Sequence, residues 1–96
     1  MDKTIIIGAD RLAVPLKDAL KHRLEEVHGY QVTDVGMQEG GAFISYIDTA
    51  CKAAREIQQG HFNRGILLCG TGAGMSVVAN KFKGIYAVLC HNTYEA

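Results

Sequence analysis

The chain has 96 residues, of which 48% are hydrophobic, and its ten basic side chains balance ten acidic ones. A chain of this length forms one domain at most, here expected over residues 1–96. Because Lys and Arg are scattered and the net charge is zero, the composition argues against nucleic acid or an anionic membrane as the partner. The expected partners are small molecules or other subunits.

Location and redox state follow from two further features of the composition. The apolar stretch near the N-terminus is too short for a signal peptide or a membrane span, and no later segment reaches the required length. We therefore expect a cytoplasmic protein. Cys51, Cys69 and Cys90 form no CxxC pair, are odd in number and have no histidines at zinc-site spacing. The sequence thus predicts reduced thiols, no structural metal and no cofactor.

The first predicted elements are a strand and a helix. Thr4 to Ile7 is a β-branched run typical of a strand buried on both faces. Pro15 suits the first turn of the helix that follows. The helix has apolar residues at helical spacing, which are expected to form its buried face: Leu16, Leu20, Leu24 and Val27. Asp10 and Arg11 form a charged pair at the C-terminal end of the strand.

A second strand and a second helix come next. Gln31 to Val35 is the predicted strand, and residues 36–42 form a surface loop that contains glycine. Ser45 with Asp48 three residues later predicts the capped start of a helix. The apolar face of this helix has five members: Ile47, Ala50, Cys51, Ala54 and Ile57. We therefore expect Cys51 to be a core residue.

The most informative stretch follows the third predicted strand, Ile66 to Leu68. Cys69 ends this apolar run, and the next residues alternate between glycine and another small residue: Gly70, Thr71, Gly72, Ala73 and Gly74. Glycines at a strand end let backbone N–H groups converge, and a helix predicted from Met75 to about Lys81 adds its positive end. The pattern predicts an anion site beside a thiol. Ordinary packing also uses small residues and a buried cysteine in this way, so that explanation stays open.

A fourth strand is predicted from Tyr86 to Leu89. The alternation of strands and helices then implies right-handed crossovers and a three-layer, Rossmann-like α/β fold with a parallel sheet. Ligands of such sheets bind outside the C-terminal ends of the strands. Four residues with reactive or polar side chains are expected at that edge: Asp10, Cys69, Thr71 and His91.

The C-terminal residues look like the beginning of another element. Asn92 with Glu95 resembles a helix start, and the sequence ends at Ala96. The fourth strand would then lie at an apolar edge of the sheet, which complete domains normally avoid. We therefore expect either that the chain is incomplete or that a partner covers this edge.

Several segments together resemble the ribose-5-phosphate isomerase B and galactose-6-phosphate isomerase family: IIIGAD, Tyr46 before a helix, GILLCGTGAGMSVVANK and LCHNTYEA. The resemblance covers essentially the whole chain. It implies a flavodoxin-like fold, with four strands present of an expected five, and a metal-independent aldose–ketose isomerase that acts on a phosphorylated sugar as a homodimer or larger assembly. Family chains continue well beyond this point, so the resemblance also implies that much of the phosphate-binding segment is missing.

The resemblance also assigns roles to individual residues. It makes Cys69 the base that moves a proton between C1 and C2, and Thr71 with the loop amides the groups that stabilise the enediolate. It places substrate binding on nine further residues: Asp10, Arg11, Tyr46, Gly70, Gly72, Ala73, Gly74, Asn80 and His91. Arg11 stands where members usually carry a histidine, and arginine does not exchange a proton near neutral pH.

Other classes of protein share parts of this pattern. A thiol phosphatase needs an arginine six residues after its cysteine, and Met75 occupies that position. The run GTGAG lacks the third glycine of a dinucleotide-binding loop. A phosphocysteine carrier of the sugar phosphotransferase type has its cysteine after the first strand, whereas Cys69 follows the third. A galactose-6-phosphate isomerase or a non-catalytic, related subunit of such an enzyme stays open.

Overall fold

The structure, a computed structural model, describes residues 2–70 and 72–96. Its elements in chain order are β1 (Thr4–Ala9), a 3₁₀ turn (Arg11–Ala13), α1 (Val14–Glu26), β2 (Gln31–Asp34), α2 (Tyr46–Gln58), β3 (Gly65–Leu68) and α3 (Ala73–Ala79). The three strands form one parallel sheet in the order β2-β1-β3. The predicted α/β class with a parallel sheet is confirmed.

The central strand β1 positions the rest of the sheet. Its three isoleucines are at most 5% exposed, as expected for a strand covered on both faces. Helix α1 packs on β1 and β2, whereas α2 packs on β1, β3 and α3. Because β2 and β3 lie on opposite sides of β1, right-handed crossovers place α1 and α2 on opposite faces. The C-terminal ends of β1 and β3 therefore meet at the topological switch point of the sheet, where parallel sheets of this kind bind ligands.

The buried face of α1 differs from the predicted one. Val14 and Lys17 are its buried residues, whereas Leu16 and Val27 are each 61% exposed. The predicted buried face of α1 is therefore wrong at Leu16 and Val27. Val14 and Lys17 face the sheet instead, because the Asp34 carboxylate at the end of β2 contacts the Lys17 ammonium, as does the carboxylate of Asp18.

The start of α2 matches its sequence signal. The Ser45 hydroxyl oxygen accepts a hydrogen bond of 3.1 Å from the backbone N–H of Asp48, which confirms the predicted cap. Ala50 and Ala54 are buried as expected, but Ile47 is 46% exposed and Cys51 is only half-buried. The exposed position of Ile47 follows from its place in the first turn, beyond the area that the sheet covers.

The predicted strand over Tyr86–Leu89 is not formed. Tyr86 and Val88 are 92% and 77% exposed. The Asn80 side chain instead binds both backbone groups of Ala87: its Oδ1 accepts from the N–H at 2.8 Å, and its Nδ2 donates to the C=O at 2.8 Å. These bonds use backbone groups that a strand would offer to β3. The sheet of the described residues has three strands, not the predicted four of an expected five.

The C-terminal residues form one turn. The Asn92 Oδ1 accepts from the Glu95 N–H at 2.9 Å, so the predicted cap forms without a helix behind it.

Within residues 2–70 and 72–96, every helix is too short or too polar to cross a membrane.

Candidate active site

The sheet register brings the chain segments after β1 and β3 together. Ala9 is paired with Leu68, and the N–H of Asp10 donates to the Leu68 carbonyl at 3.0 Å. Asp10 and Cys69 each follow directly after these paired residues. The two predicted site residues therefore lie at the same edge of the sheet, on neighbouring strands.

The Asp10 carboxylate joins the two segments. Its Oδ1 accepts from the Ala13 N–H at 3.1 Å, which caps the 3₁₀ turn. Its Oδ2 lies 3.4 Å from the Gly70 N–H, which donates to it. Two backbone donors thus orient the carboxylate, and each oxygen retains a lone pair for another donor.

The Cys69 thiol is held in a similar way. Its Sγ accepts from the Gly72 N–H at 2.9 Å, and the residue is a half-buried free cysteine. Gly72 has a φ of 80°, a left-handed conformation that glycine adopts without steric cost. The Gly72 amide lies where it can make a charge-assisted hydrogen bond to a thiolate.

Close contacts explain two of the three loop glycines. A Cβ on Gly72 would lie 2.5 Å from Leu89 Cδ1, and a Cβ on Gly74 would lie 2.6 Å from Tyr46 Cε2. Gly70 has only an ordinary neighbour, Leu12 Cδ1 at 3.5 Å. The positive φ of Gly72 and the Tyr46 ring beside Gly74 therefore give a structural reason for these two glycines. The predicted anion at residues 70–74 stays a prediction, and one of its amides already donates to Cys69.

Two clefts share Arg11, and one of them is also lined by Asp10. The first, here called the Tyr46 cleft, has a volume of about 310 Å³ and is lined by Asp10, Arg11, Leu12, Phe43, Ile44, Ser45 and Tyr46. The second, the Gln38 cleft, has a volume of about 520 Å³ and is lined by Arg11, Val14, Pro15, Met37, Gln38, Glu39, Gly40 and Gly41. Neither of these two clefts is lined by Cys69. Arg11, an exposed residue, lines both clefts.

The remaining predicted site residues have other surroundings. The Asn80 amide binds Ala87 and also donates to the Ser76 carbonyl at 2.9 Å. The His91 N–H donates to Glu95 Oε1 at 2.6 Å, and the His91 ring nitrogen Nδ1 lies 3.5 Å from the same oxygen. Ala73 is the first residue of α3, and Thr71 lies outside the described residues. In the described part of the chain, His, Cys, Asp and Glu side chains form no group of three or more that could hold a metal ion.

Sequence reasoning missed a buried charged cluster next to this edge. The Lys17 Nζ lies 2.6 Å from both Asp18 Oδ1 and Asp34 Oδ2. Burial opposes the positive charge, but the hydrogen bonds to the two carboxylates outweigh burial and raise the pKa of Lys17 above its usual value. The only signal in the sequence was Asp34, an aspartate at the end of β2, and the sequence did not show that Lys17 is its partner.

Comparison with known proteins identifies relatives of the whole chain. A family model described as Ribose/Galactose Isomerase matches residues 5–96. A D-erythrulose-4-phosphate isomerase of Pectobacterium atrosepticum is 46% identical over 93 residues, which cover 97% of this chain and 60% of the relative. A 4-deoxy-4-sulfo-D-erythrose isomerase of a Clostridium species is 44% identical over 92 residues, covering 96% and 57%. Ribose-5-phosphate isomerase B of Escherichia coli is 38% identical over 94 residues, covering 98% and 62%.

Solved structures show the same arrangement of elements. Ribose-5-phosphate isomerase B of Thermotoga maritima superimposes with a TM-score of 0.87 at 36% identity, over 99% of this chain and 64% of that one. The Clostridium thermocellum ribose-5-phosphate isomerase B gives 0.86 at 39% identity, over 96% and 61%. The chain thus spans about three fifths of the length of the relatives it matches.

Proposed function

The chain belongs to the ribose/galactose isomerase family, and on this basis we propose that it interconverts the aldose and ketose forms of a phosphorylated sugar, of the ribose 5-phosphate and ribulose 5-phosphate type. The observation that carries the proposal is the Cys69 thiol, held by the Gly72 N–H beside the Asp10 carboxylate. A base next to fixed N–H donors is what proton abstraction beside a carbonyl requires.

In the proposed reaction, the Cys69 thiolate removes the proton from the carbon next to the sugar carbonyl. The electron pair of the broken C–H bond forms the C1–C2 double bond, and the carbonyl π electrons move to oxygen, which gives an enediolate. The hydroxyl proton of the enediolate passes from one oxygen to the other, and the protonated thiol returns its proton to the other carbon, which leaves the carbonyl on the neighbouring carbon. We assign stabilisation of the oxyanion to Thr71 and the loop amides, in keeping with the sequence-based prediction.

The neighbouring side chains bind the substrate in this proposal. Asp10, already oriented by Ala13 and Gly70, accepts hydrogen bonds from sugar hydroxyls with its remaining lone pairs. Arg11 is cationic and lines both clefts, so it suits the terminal anion of the substrate. Tyr46 lines the Tyr46 cleft and contacts Gly74.

We also propose that the active form is a homodimer or larger assembly, or includes a related subunit. Leu12 and Phe43 line the Tyr46 cleft and are 77% and 76% exposed, which is unusual for large apolar side chains at the rim of a sugar site. Covering them with a second subunit would remove this apolar surface from water. A cytoplasmic location stays a prediction from the sequence.

A second candidate substrate is a four-carbon sugar with a terminal phosphate or sulfonate. It is favoured by the two relatives whose names specify such substrates, at 46% and 44% identity, compared with 38% for the Escherichia coli ribose-5-phosphate isomerase B. Both substrate types carry an anion at one end and the aldose–ketose pair at the other. The same Cys69 chemistry therefore serves either, and the length of the carbon chain is what differs.

The test is an isomerase assay with ribose 5-phosphate and D-erythrulose 4-phosphate in parallel. The proposal expects turnover of at least one, and the larger kcat/KM identifies the substrate class. Galactose 6-phosphate is included to test the other activity of the family, and 4-deoxy-4-sulfo-D-erythrose to test a terminal sulfonate. Turnover of none of the four sugars would contradict the proposed activity of this chain and favour a non-catalytic subunit or, less strongly, a phosphocysteine carrier.

A further inference from the structure

A buried lysine lies beside the proposed site although the proposed chemistry does not use it. Lys17 is 0% exposed, on the inner face of α1. Its ammonium contacts Asp34 at the end of β2 and Asp18 in the next position of the helix, each at 2.6 Å. A buried ammonium needs such partners because removing it from water is costly. A charged pair also costs more than an apolar pair of the same size, so its presence at this point calls for an explanation beyond stability.

The cluster reaches the loop that follows β2. The Lys17 Nζ also donates to Gln38 Oε1 at 3.4 Å. The Gln38 Nε2 donates to the Gly36 carbonyl at 3.3 Å, and Asp34 Oδ1 accepts from the Gly36 N–H at 3.2 Å. Lys17 therefore links α1 directly to residues 34 and 38, and the side chains of both residues bind the backbone of Gly36.

This loop forms one side of the Gln38 cleft. Residues Met37 to Gly41 line that side, and Arg11, Val14 and Pro15 line the other. The start of the loop is fixed to β1, because the Met37 N–H donates to the Ala9 carbonyl at 3.0 Å. Lys17 lies one helical turn after Val14. The contacts of Lys17 thus cross from one side of the cleft to the other and set the distance between them.

We propose that Lys17 is a positioning residue that acts through Gln38 to keep residues 36–41 at a fixed distance from α1, so that the Gln38 cleft binds the non-reacting part of the substrate. The inference rests on the proposed function, because Arg11 joins this cleft to Asp10. Lys17 touches neither the substrate nor the reacting atoms. Its effect is on substrate binding and not on proton transfer.

The decisive variant is Gln38→Leu. It removes both hydrogen bonds of the Gln38 side chain but leaves the contacts of Lys17 with Asp18 and Asp34 intact, so the fold is retained. We expect KM for the converted sugar phosphate to rise about fivefold, which corresponds to the net free energy of one typical hydrogen bond. The kcat should stay within about twofold of the wild type. Gln58→Leu is the matched control, since Gln58 also donates to a backbone carbonyl, that of Lys83 at 2.9 Å, away from the cleft. Its KM is expected to stay unchanged.

Amide hydrogen exchange supplies a readout that needs no activity. In Gln38→Leu, the amides of residues 36–41 should exchange about fivefold faster than in the wild type. The same is expected of Lys17→Met, once circular dichroism has shown that this variant is folded. The amides of β1 and α2 should keep their rates. Faster exchange across the whole chain would show a merely stabilising role and overturn the inference.

The two readouts separate this inference from the proposed function. An active wild type with unchanged KM and unchanged loop exchange in Gln38→Leu overturns the positioning role and leaves the isomerase proposal intact. A wild type without isomerase activity contradicts the proposed function and the role assigned to the cleft. In that case, exchange that quickens only in residues 36–41 still supports Lys17 as the residue that positions the loop.

Discussion

The two edges of the sheet carry different kinds of polar contact. At the N-terminal edge, Arg64 donates to the Tyr30 hydroxyl at 2.6 Å and lies 5.2 Å from the centre of its ring. Lys3 lies 5.3 Å from the same ring and donates to the His28 carbonyl at 2.8 Å. At the C-terminal edge, two acceptors of the proposed site, Asp10 and Cys69, receive hydrogen bonds from backbone N–H groups.

The direction of the chain explains this difference. In a parallel sheet of this kind, helices end at the N-terminal edge and leave carbonyls without a helical partner, which suits Lys and Arg. Helices and turns begin at the C-terminal edge and leave N–H groups, which suit a carboxylate or a thiolate. The first edge therefore links distant segments by side chains, and the second orients reactive side chains by backbone. Substitutions should change stability at the first edge and activity at the second.

The largest expected effect is at the C-terminal edge. Cys69→Ala removes the proposed base and should lower the isomerase rate by about 10² to 10⁴, the usual contribution of general acid–base catalysis. The midpoint of urea unfolding should change little because the residue is only half-buried. Cys51→Ala in α2 is the control, with the rate expected to stay at the wild-type value. An active Cys69→Ala enzyme would remove the basis of the comparison.

Gly72→Ala tests whether the backbone at this edge is as important as its side chains. Alanine at a φ of 80° costs about 1 to 2 kcal/mol of folding free energy, and the new Cβ must also displace Leu89. The change should reorient the amide that binds Cys69 and lower the isomerase rate. Gly84→Ala is the matched control, because Gly84 has a φ of 82° and no heavy atom within 4 Å of its added Cβ. Equal losses of activity in both variants would contradict a specific role for Gly72.

At the N-terminal edge, Arg64→Leu should change stability only. The substitution removes the bonds to Tyr30 and Asp2 and the contact with the Tyr30 ring, and we expect a loss of about 1 kcal/mol in the free energy of unfolding. The isomerase rate at a temperature where the protein is folded should be unchanged. Arg23→Leu, at an exposed position of α1, serves as the control for loss of charge. A reduced isomerase rate in folded Arg64→Leu would show that the two edges are not independent.

The smallest effect concerns pH. Hydrogen bonds from the Thr4 hydroxyl and then the Thr4 N–H hold the pKa of Asp2 below its usual value. A lowered pKa means that the carboxylate stabilises the folded chain above about pH 4 and loses this effect as pH falls through the lowered value. Wild type and Asp2→Asn should therefore differ in unfolding midpoint near pH 6 and converge near pH 2. A difference that stays constant over this range would assign the effect to something other than ionisation.

Local patterns predicted those parts of the molecule that depend on neighbours in sequence. The β-branched run of β1, the Ser45 cap of α2 and the strand that leads to Cys69 all lie where the sequence places them. The meeting of Asp10 with the Cys69 segment was also predictable, because alternation of strands and helices makes the sheet parallel and puts all strand C-termini at one edge. The resemblance to ribose-5-phosphate isomerase B and its relatives is likewise confirmed.

What only the tertiary structure decided involves partners that are distant in sequence. The spacing of apolar residues predicts a buried face on α1, but the contacts with the sheet determine which side of the helix is buried. The carboxylate of Asp34 binds Lys17 on the buried side, and Leu16 is left exposed. The run Tyr86–Leu89 has strand propensity, yet Asn80 binds the backbone of Ala87 in place of β3. The loop glycines look alike in the sequence, and only the structure shows that Gly72 has a positive φ and that Gly74 packs against the Tyr46 ring. Sequence periodicity indicates the secondary-structure propensity of each segment. Which residues are buried and which strands pair depend on contacts with segments that are distant in the sequence.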